Sequence, residues 1–422
     1  MIPTNWKRNI SIFLGSQSIS LFGSSLVQFA MTWYITMATQ SGVYMTISIV
    51  CSLVPALFLS PFAGVWADRY DRKKLIMISD GIIALSTLVL ACLFMAGIQP
   101  IWLLFVVQAI RGLGGAVQTP AVSAMIPDMV PEEQFTRVNG INGSVQSLIS
   151  LASPALGGAL LTAVGSIELI FFIDVVTAAI AIFIMLRFLK LPKRVPGTVA
   201  SQQDSLGAMK EGVRYIKNHR YLIHMMLYTV IVCFMIAPVA FLTPLQVVRS
   251  YGEEVWKMTA SQVAFSAGML LGGLLITVWP GFKNRIYTMG MAIGIMGIST
   301  LLLGAGLPFW LYLALVGLNG ATMPLFNTPA IVLLQERVDS AYMGRVFSVV
   351  SMINNGLMPL GMLLFGPLAD SVSIELLLVI TGAIVLVAAV TLMLDRTIKA
   401  VGLPKHAAVI PVRQGGTEGL SS

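Results

Sequence analysis

Apolar residues run along this chain in long blocks, cut by short clusters of charge, Gly and Pro. No Asp, Glu, Lys or Arg occurs from Asn9 to Ala67, a run of 59 residues, or from Ile286 to Gln335, a run of 50. One bilayer crossing takes about 20 apolar residues, so each run holds more than one. Cutting at the polar links predicts twelve spanning helices. In the first half they cover 10–38, 43–67, 75–97, 101–126, 138–165 and 167–186. In the second half they cover 221–248, 258–280, 286–306, 308–334, 346–369 and 372–394. Lipid cannot satisfy open backbone groups, and the blocks are far longer than the strands of a membrane barrel, so the spans must be helical.

Composition agrees: 57% of residues are hydrophobic and 10% charged, which excludes an ordinary soluble domain. The net charge of +8 would suggest nucleic acid in a soluble protein, but its placement points to membrane topology instead. With the N-terminus inside, 23 of the 26 basic residues fall on one side, leaving Arg249 and Lys257 outside and Arg111 within a span. The positive-inside rule therefore puts both termini in the cytoplasm. Lys7 and Arg8 precede the first block without a small-residue cleavage site, so that span is expected to stay. Cys51, Cys92 and Cys233 all lie in apolar runs and indicate no disulfide framework.

The charged link from Arg187 to Arg220 divides six spans from six. Its last part, Leu206 to Tyr221, has Leu206, Met209, Val213 and Ile216 at helical spacing beside Lys210, Arg214 and Lys217. That pattern predicts an amphipathic helix on the cytoplasmic leaflet. Gln118-Thr119-Pro120-Ala121-Val122 recurs as Asn327-Thr328-Pro329-Ala330-Ile331, and Arg137-Val138 as Arg345-Val346. Two like halves are implied: bundles at 1–190 and 221–400, a linker at 191–220 and a tail at 401–422.

Between spans two and three, Gly64-Val65-Trp66-Ala67-Asp68-Arg69-Tyr70-Asp71-Arg72-Lys73-Lys74 fits Gly-x-x-x-Asp-Arg-x-x-Arg-Lys. Here the chain resembles the major facilitator superfamily, which implies a fold of two six-helix bundles. Gly64 would let a helix approach, Asp68 can face a helix dipole, and Arg72 and Lys73 can pair with acids. The resemblance implies a conformational latch on Gly64, Asp68, Arg69, Arg72 and Lys73; a pure topology signal is the alternative. Gly140, Pro154, Gly157 and Gly158 in span five are similar to the superfamily's antiporter motif, with Ile149 and Ser153 in place of two glycines. A plain proline kink is the other reading of that segment.

Arg111 lies midway along span four, where a charge is costly and needs a partner or a wet cavity. Gln108, Arg111 and Gln118 share one helix face, and Gln17, Ser24 and Gln28 mark span one, Asn142 and Gln146 span five, and Asn355 span eleven. These are candidates for a substrate cavity or for interhelical hydrogen bonds. Phe29, Trp33, Tyr34 and Phe326 would suit an apolar pocket. No Gly-x-x-x-x-Gly-Lys-Ser/Thr occurs, and the three histidines fit no metal or hydrolase pattern, so no cofactor, metal or catalytic residue is expected. An ion-driven carrier fits better than a pump or membrane enzyme.

Proton coupling needs a membrane carboxylate. Asp174, about 10 Å into span six at ~1.5 Å per residue, is the first candidate, with a structural or helix-packing role as the alternative; Asp80, the second candidate, lies nearer the loop and is read with the latch. Pro131-Glu132-Glu133-Gln134 and Phe172-Ile173-Asp174 resemble drug/proton antiporters of the group that includes bacterial macrolide efflux proteins. That resemblance implies a monomeric exporter of small lipophilic compounds in the bacterial plasma membrane, driven by protons. A siderophore exporter of the same group and a nutrient symporter or facilitator are the alternatives.

Overall fold

A computed structural model describes residues 6–189, 205–339 and 342–403. The remaining linker and tail positions, 190–204 and 404–422, lie outside the described residues. Among the described residues, twelve helical segments are long and apolar enough to cross a membrane. The first bundle holds α1 (Trp6–Thr39), α2 (Gly42–Arg69), α3 (Arg72–Met95), α4 (Ile101–Met129), α5 (Phe135–Val164) and α6 (Glu168–Phe188). After α7 (Ser205–Asn218) come α8 (Arg220–Met235), α9 (Ala237–Tyr251), α10 (Val255–Val278), α11 (Arg285–Leu303), α12 (Phe309–Arg337), α13 (Met343–Ser371), α14 (Ile374–Leu394) and the short α15 (Arg396–Lys399).

Two sequence expectations change. Span seven is two helices, α8 and α9, because Pro238 lacks the N–H that would continue the ladder to Phe234 O. Gly361 of α13 packs into that break: a Cβ there would sit 2.7 Å from Ala237 Cβ and 2.9 Å from Phe234 O. The amphipathic α7 does not offer its apolar face to lipid alone. Tyr215 and Ile216 are buried, and a Cβ on Gly212 would lie 2.6 Å from Arg345 O of α13. Glu211 pairs with Arg345 at 2.8 Å and the Tyr215 hydroxyl donates to Asp339 at 3.1 Å. Burial pushes the Tyr215 hydroxyl above its ordinary pKa, which keeps it a donor.

Inside each bundle, glycine permits close helix approach where lipid offers no hydrophobic drive to associate. A Cβ on Gly112 of α4 would lie 2.0 Å from Ser52 O of α2; one on Gly272 of α10 would lie 2.2 Å from Ala321 O of α12. The bundles meet along two seams, α2 with α13 and α5 with α10. The end carrying residues 68–74 and 205–220 is called the basic end below. At the opposite end Gly42 meets Gly366 and Gly158 meets Thr259, where added Cβ atoms would lie 2.1 and 1.8 Å from their neighbours. At the basic end of α5, Gly140, Gly143, Ser144, Gln146, Ser147 and Leu148 are exposed. The bundles are thus joined at one end and splayed at the other.

The Gly272 contact is testable against its neighbour, since a Cβ on Gly273 meets nothing within 4 Å. Gly272→Val should destabilise the detergent-solubilised protein by about 1–3 kcal/mol more than Gly273→Val, the cost of overpacking against backbone. Thermal unfolding of the two variants measures the difference. Equal loss would mean that the close approach contributes nothing.

Candidate functional site

A cavity of about 1060 Å³ opens between the bundles. It runs from Ile35 and Met45, beneath the joined end, to Ser60 and Gly64 near the basic end, with Ala240, Phe241, Pro244, Gln262 and Pro359 on the far wall. Helix α2 lines it with Ser48, Ser52, Ala56, Ser60 and Gly64, each four residues after the last, so one helix face is small along its whole length. Arg111 is the one charged lining residue.

Of the predicted cavity residues whose side chains are described, Gln28 and Arg111 line this space and the others are placed elsewhere. Gln108 is buried and donates to Ser48 Oγ at 3.3 Å; Gln17, Ser24 and Gln118 bond within the first bundle. Asn142 is half-buried and Gln146 exposed on α5. The side chain of Asn355 lies outside the described residues. Of the aromatics, Phe29 and Phe326 are core residues and Tyr34 packs on Phe94, so Phe241 supplies the cavity ring instead. The spacing of Ser48, Ser52 and Ser60 was visible in the sequence and would have found the α2 wall.

Arg111 turns its charge away from the cavity. Its Nη1 lies 2.8 Å from Asp174 Oδ2 and 2.8 Å from Thr87 Oγ1, and its Nη2 donates to Ser24 O at 3.0 Å. Ser24 and Thr87 also donate to Asp174, at 3.2 and 3.1 Å. Asp174 has no cation in its own helix and takes Arg111 from α4 as its partner: it is 1% exposed and fully engaged. Such a pair needs close helices, and Gly23 of α1 provides this, since a Cβ there would sit 2.0 Å from Thr177 Oγ1.

The placement of Asp80 with the latch is corrected. It lies apart from the loop cluster, 3% exposed, with Oδ1 accepting from Ser20 Oγ and from Gln118 Nε2, each at 2.8 Å. Among the described residues its Oδ2 has no hydrogen-bond partner.

In the loop, Arg72 bonds to Ala67 O at 2.9 Å and pairs with Asp128 at 2.6 Å, while Asp71 caps α3. Lys73 donates to Leu189 O at 2.7 Å, a carbonyl where an acid was expected. Arg69 is exposed, Gly64 has nothing within 4 Å of its added Cβ, and the Asp68 side chain lies outside the described residues. In span five Gly140 is exposed, Pro154 lies inside α5, Gly157 meets Phe29 of α1 and Gly158 meets Thr259 of α10.

The joined end has a charge cluster the sequence reading missed. Asp370, at the end of α13, accepts from Gly42 N at 2.8 Å, Val43 N at 3.1 Å and Ser41 Oγ at 2.5 Å. It thereby caps α2, whose own Ser41 side chain makes no cap bond. Arg249 of α9 pairs with Asp370 at 2.8 Å and donates to Ala369 O and Gln40 O.

Residues 13–285, well over half of the chain, match the Major Facilitator Superfamily. The chain belongs to that family. Superfamily relatives include Macrolide efflux protein A of Streptococcus pyogenes, 30% identical over 94% of this chain and 98% of that protein. Another is the Staphyloferrin A transporter of Staphylococcus aureus, 24% identical over 85% of this chain and 89% of that protein. Among solved structures, a bacterial homologue of the iron transporter ferroportin in an inward-facing state shares the fold, with a TM-score of 0.63 at 15% identity over 92% of this chain and 98% of that one. The protein is thus a multi-pass membrane transporter of the superfamily, with twelve spans in two bundles.

Arg111→Ala should strand the Asp174 carboxylate and destabilise the protein by roughly 3–5 kcal/mol, the cost of breaking a buried pair from one side. Arg111→Ala combined with Asp174→Asn should recover much of that loss. Thermal unfolding of the single and double variants tests this; an additive loss would show that the two groups do not stabilise one another.

Proposed function

We propose that the protein exports small lipophilic compounds from the bacterial cytoplasm by alternating access, in exchange for protons. The observation that carries this reading is the cavity: large, mostly apolar, and set between bundles that meet at one end and splay at the basic end. Positive-inside asymmetry makes the basic end cytoplasmic, together with both termini. The conformer is then inward-open, ready to take substrate from the cytoplasm or inner leaflet. The name of the S. pyogenes relative supports a macrolide-like substrate. Arg111 already serves Asp174, so the wall offers a bulky neutral or weakly basic compound apolar contact with a few hydroxyl and amide groups.

The moving bodies are the bundles at 1–190 and 221–400, linked by 191–220, in a monomer within the lipid bilayer. Gly-x-x-Ala-Asp ends both α2, as Gly64 to Asp68, and α13, as Gly366 to Asp370. Asp370 caps α2 at the joined end. Asp68 is read as the counterpart at the cytoplasmic end, facing the start of α13 when that end shuts, with Arg69, Arg72 and Lys73 holding the loop. The Staphyloferrin A relative favours a second reading, export of a siderophore by the same cycle.

In proteoliposomes with an imposed proton gradient, a macrolide should be accumulated uphill and released when the gradient is collapsed. Accumulation of a siderophore alone would select the second reading, and gradient-independent equilibration would support a facilitator. Asp68→Asn should insert normally yet lower the transport rate several-fold. An unchanged rate in a well-inserted variant would remove Asp68 from gating.

A further inference from the structure

The first bundle encloses two polar rungs one helical turn apart on α1, where Ser24 serves Asp174 and Ser20 serves Asp80. On α4 the matching residues are Arg111 and Gln118, two turns apart. Only the first rung contains a cation. The elements facing Asp80 are α1, α4 and α6; they present Ser20, Gln118 and, beyond them, Asp174, whose charge Arg111 neutralises. Two carboxylates and one guanidinium leave one negative charge uncompensated if both acids are ionised. A buried, unpaired carboxylate in a membrane bundle is far costlier than its neutral form. Both donors to Asp80 converge on Oδ1, and Oδ2 is buried with no partner.

We propose that Asp80 is the proton carrier, holding a proton on Oδ2 in this conformer, and that Gln118 positions its carboxyl group. This rests on the proton-exchange reading above and names the residue for it. With the proton bound, the cluster is electrically neutral. Gln118 and its neighbour Gln17, 3.5 Å away, are half-buried whereas Asp80 is sealed, so displacement of Gln118 opens the carboxyl group toward the cytoplasmic water. The O–H bond then breaks, the proton leaves to that water, and Oδ2 is recharged when the opposite end opens. One carboxylate with a hydroxyl and an amide donor suits a proton; a metal cation would need a ring of oxygen acceptors.

The test uses the full chain in liposomes, comparing wild type, Asp80→Asn, Asp174→Asn and Gln118→Leu by pH-jump infrared difference spectroscopy and by macrolide transport. The carboxylic C=O band lost on raising the pH should be present in wild type and absent in Asp80→Asn; in Asp174→Asn, where Arg111 is left to balance Asp80, the same band should be lost at a lower pH than in wild type. In Gln118→Leu it should shift in frequency, which a merely structural role would not cause. Uphill accumulation should fall at least tenfold more than downhill exchange in Asp80→Asn, and changing sodium at fixed pH should alter nothing. Retention of the band in Asp80→Asn, or full proton-driven accumulation by that variant, overturns the assignment. If wild type ignores the proton gradient, the exchange reading fails, while the band still decides whether Asp80 holds a proton.

Discussion

A guanidinium inside a membrane helix bundle must meet a counter-charge within hydrogen-bonding reach, and Arg111 does so through Asp174. That demand organises the first bundle. The ligands of this α4 side chain come from α1, α3 and α6, and α1 can approach α6 only because residue 23 is glycine. Four helices are thereby tied at mid-membrane into a unit fit to move as a body. Among the described residues, the second bundle shows no such pair at mid-membrane. One repeat further along the chain from Arg111 stands Asn319, which bonds Ser299 and Thr300 at 2.9 and 3.1 Å. Among the described residues, the fully buried carboxylates, Asp80 and Asp174, both lie in the first bundle.

The joined end follows a different logic. Its closure uses helix ends: Asp370 supplies the cap that α2 lacks, and glycine pairs bring backbones together. Capping groups at a solvent-facing terminus can be exchanged for water at modest cost, so such a seam is suited to opening. The buried ladder, by contrast, has no water to replace its bonds. Soft contacts at the ends and hard contacts in the middle are the division that rocking between two states requires.

Much of the fold was legible because bilayer thickness fixes span length and charge clusters mark the links. Span seven misled because a single Pro238 inside an apolar run does not reveal whether the helix kinks or breaks. Helix α7 misled because an amphipathic pattern states that a face will be covered without naming the cover, which is α13. In the site, Arg111 was conspicuous by its cost alone, yet its partner lies 63 residues away and only packing brings them together. Asp80, in span three but close to the loop, was read with the latch, and its isolation from Arg72 and Lys73 depends on which way α3 turns it. Polar stripes on α1 and α4 marked buried bonding, while the cavity wall followed the small residues of α2.

Transport by this cycle requires the two ends to open in alternation about that fixed middle. Pulsed electron spin resonance on doubly labelled protein tests this most directly, with one pair at Ser144 and Leu274 near the basic end and another at Val164 and Glu254 near the joined end. On shifting from the resting to the substrate-loaded, proton-driven state, the first distance should gain a shorter population as the second gains a longer one. Both distances staying fixed, or lengthening together, would contradict it.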